Sequence, residues 1–189
     1  VLNVDQEVAS PGGKKVLGDV SLTSVAVLYK KIKFFTHENV GWGPISLPEI
    51  EMHTTSFWYE FDWNFPDILD LPPRRAGEIL RAAANALGTI VPLWVMSDIR
   101  DIRSISHVRS DFSQQPSIYL YDNVPGGVGL SARIFRMAEE LFAAAAELIG
   151  SCACKSGCPS CVGPESEIGE QGKKGAELLL RWAAGRGRY

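Results

Sequence analysis

No cysteine of this 189-residue chain lies outside residues 152–161. No scattered thiols are therefore available for a disulfide framework of the kind that braces small secreted domains. No apolar run reaches the length of a membrane span, and no charged n-region followed by an apolar h-region opens the chain. There is no G-x-x-x-x-G-K-[ST] phosphate loop, so ATP chemistry is not expected from these residues. Only three histidines occur, His37, His53 and His107, and none accompanies a nucleophile-elbow motif. Positive charge is not in excess: the formal net charge is −3, so any contact with nucleic acid requires a local patch. The initiator methionine is missing too. The chain starts Val1-Leu2-Asn3 in a polar, strand-like segment, which predicts continuation from a longer protein.

What is present centres on ten residues. Cys152-Ala153-Cys154-Lys155-Ser156-Gly157-Cys158-Pro159-Ser160-Cys161 spaces all four cysteines as C-x-C-x3-C-x2-C. Four thiolates so close in sequence suit a tetrahedral divalent ion, with Zn–S bonds of about 2.3 Å. Gly157 and Pro159 supply the tight turns that a chain wrapped on a metal needs. Two disulfides within so short a loop would be strained, and a redox C-x-x-C pair would leave Cys152 and Cys154 without a task. An iron–sulfur cluster fits four cysteines and stays open beside zinc. With every position of a tetrahedral ion filled by sulfur there is no place for water, so the metal is expected to be structural. The cluster fits a reducing compartment, which points to the cytoplasm.

A hydrophobic fraction of 46% and a charged fraction of 22% are those of an ordinary globular domain. Residues 1–20 read as a loop or hairpin rim around Ser10-Pro11-Gly12-Gly13. Leu22–Phe35 reads as one strand with Lys30, Lys31 and Lys33 near its end. These lysines are either a solvated edge or a phosphate contact. A second strand, Glu49–Asp62, carries bulk on both faces and is expected to be covered on both sides. Trp58, Trp63 and Phe65 are assigned to the core, and His53 to a hydrogen-bonded structural role. Pro72-Pro73 opens a helix running to Gly88. Arg74, Arg75 and Arg81 on its first turns serve either acidic neighbours or an outside anion. Thr89–Met96, broken by Pro92, is read as a second short helix or a buried strand. Short strands at Ile102–Val108 and Ser117–Tyr121 precede one long helix from Leu130 to Ile149, stopped by Gly150. Lys173–Ala184 forms the last helix. The fold class is α+β, a mixed sheet packed by helices, with the four-cysteine loop between the last two helices. Residues 1–48 are assigned to a β-rich segment, and 49–189 to the metal-binding domain.

Two further constellations have a chemical reading. Asp122-Asn123-Val124-Pro125-Gly126-Gly127-Val128-Gly129 joins a strand to a helix. Its Gly126, Gly127 and Gly129 suit either a tight packing turn or a phosphate contact through backbone N–H groups. Asp98, Asp101 and Asp122 at strand ends would form a metal-dependent nuclease or hydrolase site if they converged. Capping and turn duties explain them equally well. A zinc-stapled protein-interaction module is a third reading.

The Tyr121–Gly129 junction, a long helix, the Cys152–Cys161 cluster and a closing helix together resemble the C-terminal zinc-binding domain of MrfA-type helicases. These are superfamily-two, DEAD/DEAH-like DNA helicases related to the RecQ-like Hrq group. Upstream, Tyr29-Lys30-Lys31-Ile32-Lys33, Leu47-Pro48 and His53-Thr54-Thr55-Ser56-Phe57-Trp58 are similar to the segment preceding that domain, and Asp98–Asp101 to an aspartate-bearing stretch. The likeness runs from about residue 20 to 181 and departs after Cys161, at Glu165–Gly172. The resemblance implies a non-catalytic accessory domain of an ATP-dependent DNA helicase in DNA repair. It implies Cys152, Cys154, Cys158 and Cys161 as zinc ligands, DNA as partner, and ATP with Mg²⁺ only in motor domains elsewhere.

Overall fold

The computed structural model describes residues 1–186. Five strands form one sheet in the order β1-β2-β5-β7-β6: β1 Asn3–Ser10, β2 Gly13–Ser24, β5 Ile50–Phe61, β6 Ile102–His107 and β7 Ser117–Asp122. Every pairing is antiparallel. Between β2 and β5 a separate two-stranded ribbon rises, β3 Leu28–Ile32 with β4 Asn39–Pro44. The α+β class holds, since helices cover one face of the sheet.

The alternation expected of β5 puts Phe57, Tyr59 and Phe61 into the main core beneath the helices, and Trp58 into a smaller cluster with Val16 and Val20 behind the sheet. The C-terminal half of β5 is thus covered on both sides, as its sequence predicts. Phe65 and Trp58 are fully buried, but Trp63 is 71% exposed, correcting its assignment to the core.

Two expectations change where tertiary pairing overrides local pattern. Residues 1–24 form a complete hairpin, turned at Pro11-Gly12, where Gly12 takes φ +81° and a side chain would strike Trp182. β2 pairs with β5 from Gly13–Phe61 to Ser24–Ile50, so one sheet draws strands from both sides of residue 48. The single strand expected over 22–35 breaks at residues 25–27, and its second half belongs to the ribbon.

After a short helix α1 at Phe65–Ile68, the helix following Pro72-Pro73 begins with a 3-10 turn, Pro73–Arg75, and α-helix Ala76–Val95 (α2) then runs through Gly88 and Pro92 without interruption. Burial of Ala82, Ala83, Ala86, Leu87, Val91 and Val95 along its length outweighs the cost of one internal proline, about 3 kcal/mol. It ends on Met96 in the left-handed conformation. The expected long helix is two: α3 Leu130–Arg136 and α4 Ala138–Ser151, broken at Met137 with no glycine or proline to signal it. Gly150 lies inside α4. There it admits the closing helix, α6 Gly172–Ala183, because a Cβ would come 3.0 Å from Glu177 Oε1.

Candidate metal centre

α4 releases the chain at Cys152, whose extended backbone (φ −73°, ψ 124°) starts the loop. The loop closes on itself at Cys158, whose carbonyl accepts the N–H groups of Cys161 and Gly163, both at 3.0 Å. This knuckle turns the four sulfurs inward. Cys152 Sγ lies 3.5 Å from Cys154 and 3.6 Å from Cys158, and Cys161 Sγ lies 3.5 Å from Cys154 and 3.6 Å from Cys158. All four fall within 4.8 Å of one another. Four sulfurs about 2.3 Å from a common centre would stand about 3.8 Å apart, so the cage fits a tetrahedral ion. None is bonded to another as a disulfide.

Side chains around the loop hold it to the fold. Asn85, midway along α2, donates from Nδ2 to the Val162 carbonyl at 2.9 Å. Gly163, at φ +96°, leaves room for that amide. A short helix, α5 Glu165–Ile168, carries the fully buried Ile168 against Gly157 and Gly172. Glu165 accepts the hydroxyl of Ser156. The acidic stretch after Cys161, where the family likeness weakens, is therefore the back wall of the cage. Lys173, in the first turn of α6, donates to the carbonyls of Cys152 at 2.7 Å and Cys154 at 2.5 Å. A cation at a helix N-terminus works against the helix dipole, and that misplaced charge was the one sequence signal for this contact. Asn85 and Ile168 gave no signal.

The thiols differ in environment. The Cys154 backbone N–H, with the neighbouring sulfurs, holds the Cys152 thiol down to about 7, whereas burial pushes Cys161 up to about 12. A bound cation draws the protons off such a set, so loading releases protons and depends on pH.

The other candidate groups have separate placements. Among the described residues, the cysteines are the one group of three or more metal-ligating side chains that converge. Asp98 binds its neighbour Arg100 through Nε and Nη2, and this keeps its carboxyl down to about 2. Asp101 accepts the Asp98 N–H at 3.0 Å within the same exposed turn. Asp122 is fully buried and takes three amides at the start of α3, those of Val128 (2.7 Å), Leu130 (3.2 Å) and Ser131 (2.8 Å), plus the Ser131 hydroxyl. The three aspartates do not form a carboxylate site. The glycine turn is likewise engaged from within: the Gly126 N–H bonds His53 O, the Gly127 N–H bonds Val124 O, and Gly127 lies hard against Thr55. With Asp122 seated on the Val128, Leu130 and Ser131 amides, the turn packs β7 against α3; Gly126 and Gly127 have their N–H groups engaged within the fold, and Gly129 stands at φ +86° before Leu130.

His53 is exposed and bonded to Glu51 at 3.2 Å. His107 packs edge-on to Tyr119. Arg75 pairs with Glu78 at 2.8 Å. Lys30, Lys31 and Lys33 all stand exposed on the ribbon.

Residues 83–162, which include all four cysteines, match the family described as the MrfA Zn-binding domain. The chain is 36% identical over 181 residues to the ATP-dependent helicase YprA of Bacillus subtilis (strain 168), covering 96% of this chain and 23% of that protein. It is 33% identical over 86 residues to the protein MJ1572.1 of Methanocaldococcus jannaschii, covering 44% of this chain and 77% of the other. A crystal structure of the DUF1998 helicase MrfA bound to DNA superposes with a TM-score of 0.75 at 35% identity, over 96% of this chain and 24% of that one. The chain thus spans about a quarter of the length of the helicases it matches. Together with the sulfur cage, the family assignment makes the metal structural zinc.

Proposed function

Since this chain belongs to the family of the MrfA Zn-binding domain, we propose that it is the non-catalytic accessory domain of an ATP-dependent DNA helicase. In this reading Cys152, Cys154, Cys158 and Cys161 hold one Zn²⁺, which fixes the turn between α4 and α6. When bound, the ion contributes a rigid, coordinatively saturated crosslink and no reactive site. The domain then engages DNA or couples it to the motor, and ATP with Mg²⁺ acts in the motor part of such a helicase. Work in DNA repair, in a reducing cytoplasm that keeps the thiols available, completes the proposal.

The observation that carries it is the continuity of the likeness: sequence and fold agree with helicases over 96% of the chain, far beyond the cysteine loop. Of the positions expected to meet phosphate, the exposed Lys30 and Lys31 support DNA contact best, since neither has an acidic partner among the described residues. Lys33 is paired with Glu38 at 2.7 Å.

The test is DNA binding by the zinc-loaded chain across a salt series. Weak binding that falls with salt is expected, with the logarithmic slope reduced by roughly 0.7–0.9 for each phosphate-contacting lysine replaced by alanine. Binding insensitive to salt, or metal-dependent cleavage of the DNA, would overturn the proposal.

A further inference from the structure

Residues 25–49 leave the sheet where β2 ends and rejoin it where β5 begins, at the Ser24–Ile50 pair. Between these points β3 and β4 pair with each other, and among the described residues neither packs extensively on another element. The base is closed by the Ile45 N–H to Val27 O at 3.2 Å. The tip is closed by Lys33 N–H to Glu38 O and His37 N–H to Lys33 O, both 3.0 Å. A two-stranded ribbon has no core of its own in which to shelter apolar groups. Yet it carries three of the chain's large aromatics in the open: Phe34 is 85% exposed, Phe35 91% and Trp42 70%.

The arrangement of these rings is ordered. Phe34 and Phe35 meet edge-on at the tip, centroids 5.3 Å apart and planes at 87°. The register sets Lys30 beside Trp42 on one face, and Tyr29 and Lys31 opposite Gly43 and Gly41 on the other. Among the described residues, no atom outside Gly41 and its chain neighbours comes within 4 Å of where its side chain would start, so the space beside Lys31 is open. Lys31 Nζ stands 5.8 Å from the Tyr29 ring. Each face therefore pairs a ring with an ammonium group. Residues 25–49 hold three lysines against two acidic residues, Glu38 and Glu49, in a chain whose net charge is −3.

Rings with free π-faces, interleaved with unpaired cations, are the complement of a single nucleic-acid strand: bases stack on the rings and phosphates meet the cations. A duplex hides its base faces within its own stack and would leave Phe34 and Phe35 uncovered. An apolar protein surface would bury Lys30 and Lys31 without partners, at a desolvation cost. We infer that the β3–β4 ribbon is a single-strand reader, in which Phe34 and Phe35 stack on unpaired bases while Lys30 and Lys31 hold the flanking phosphates. This rests on the DNA-engaging role proposed above and specifies which form of DNA the domain takes.

The experiment uses the intact zinc-loaded chain with a fluorescent oligothymidine and a blunt duplex of equal length, titrated by anisotropy over a salt series. Phe34→Ala/Phe35→Ala should weaken single-strand binding about tenfold or more, with the salt slope unchanged and duplex binding unaltered. Lys30→Ala/Lys31→Ala should instead lower the single-strand slope by about 1.4. Irradiation with 5-iodouracil in the strand should crosslink Phe34, Phe35 or Trp42. All four replaced side chains are exposed, so melting temperature and zinc content should stay at the parent values. If the lysine variant loses binding while the phenylalanine variant keeps it, or crosslinks fall only on other aromatics, the stacking inference fails and the helicase-domain reading stands. If the parent chain binds neither strand nor duplex, both fail.

Discussion

Lys173 holds Cys152 by its backbone: Nζ donates to the Cys152 carbonyl at 2.7 Å, across a separation of 21 positions that includes α5. The same ammonium reaches the Cys154 carbonyl, so one cation fixes both arms of the C-x-C pair. Burial opposes the charge, yet the Cys154 hydrogen bond and the nearby sulfurs raise its pKa above the usual lysine value. Four thiolates around Zn²⁺ carry a net double negative charge, and Lys173 offsets part of it. Lys173→Met is expected to weaken zinc binding about 10- to 100-fold, the usual range for a partner in the outer shell of a metal site. Competition with a chromophoric chelator measures this, and Lys173→Arg should recover part of the loss. Equal affinity in parent and Lys173→Met would assign the lysine to packing alone.

Zinc removal should unfold the loop and leave the sheet standing. The main core joins α2, α4, α6 and the sheet, and Cys152, Cys154 and Cys158 pack only at its margin. Structural zinc contributes about 10–16 kcal/mol in isolated finger peptides. Here the sheet–helix core folds around its own contacts, and a loss of about 5 kcal/mol is expected, lowering the melting temperature by roughly 10–20 °C. Hydrogen exchange should rise over residues 152–172 and at the start of α6, but not in β5 or β7. Cys158→Ser should reproduce the pattern. Unchanged melting after complete chelation would mean that the loop is held by Asn85, Ile168 and Lys173 without the ion.

Those three residues also mark where sequence reading stops. The cysteines were legible because a metal knuckle is local: its spacing and its glycine lie within ten residues. β5 was legible because strong alternation coincides with burial on both faces. Asn85 lies 77 positions from Val162, and nothing near either one announces the other. Pro92 read as a break because local propensity opposes it, whereas burial along α2 decides the outcome. The ribbon was misread for the same kind of reason. The β-branched and aromatic run through Leu22–Phe35 reads as one strand, and only the pairing of β3 with β4 rather than with the sheet breaks it in two.

Glu139 gives the chain one measurable acid sensitivity. It accepts Lys15 Nζ at 2.8 and 2.9 Å and Ser10 Oγ at 2.9 Å. Burial pushes its carboxyl up, but Lys15 and Ser10 outweigh that and leave it below its ordinary value of 4.5. A carboxyl depressed in the folded state adds stability above its unfolded pKa and loses it as pH falls through the folded one. With about a third of the side chain exposed, the contribution is at most about 1 kcal/mol. Denaturant unfolding of the parent and Glu139→Gln should differ by about that amount at pH 7. The difference should shrink as pH drops below about 4.5 and through the depressed value. Zinc release in acid affects both proteins, so the difference isolates Glu139. A gap that stays constant into acid would exclude this ionisation.

Asp122 separates packing from catalysis by the sign of one substitution. In a carboxylate metal site the acidic groups repel one another when empty, and Asp→Asn relieves the repulsion and stabilises the metal-free protein. Among the described residues Asp122 has no carboxylate partner in a converging group; its oxygens take the Val128, Leu130 and Ser131 amides and the Ser131 hydroxyl. Asparagine would turn an NH₂ toward those donors, and alanine would leave them unpaired in a buried position. Urea unfolding should show Asp122→Asn losing about 2 kcal/mol and Asp122→Ala about 3–5 kcal/mol. Added Mg²⁺ should change neither value. A more stable Asp122→Asn protein, or Mg²⁺ protection that the substitution abolishes, would restore the carboxylate-site reading. The expected loss instead fixes Asp122 as the anchor that joins β7 to α3, and through α4 sets where the cysteine loop begins.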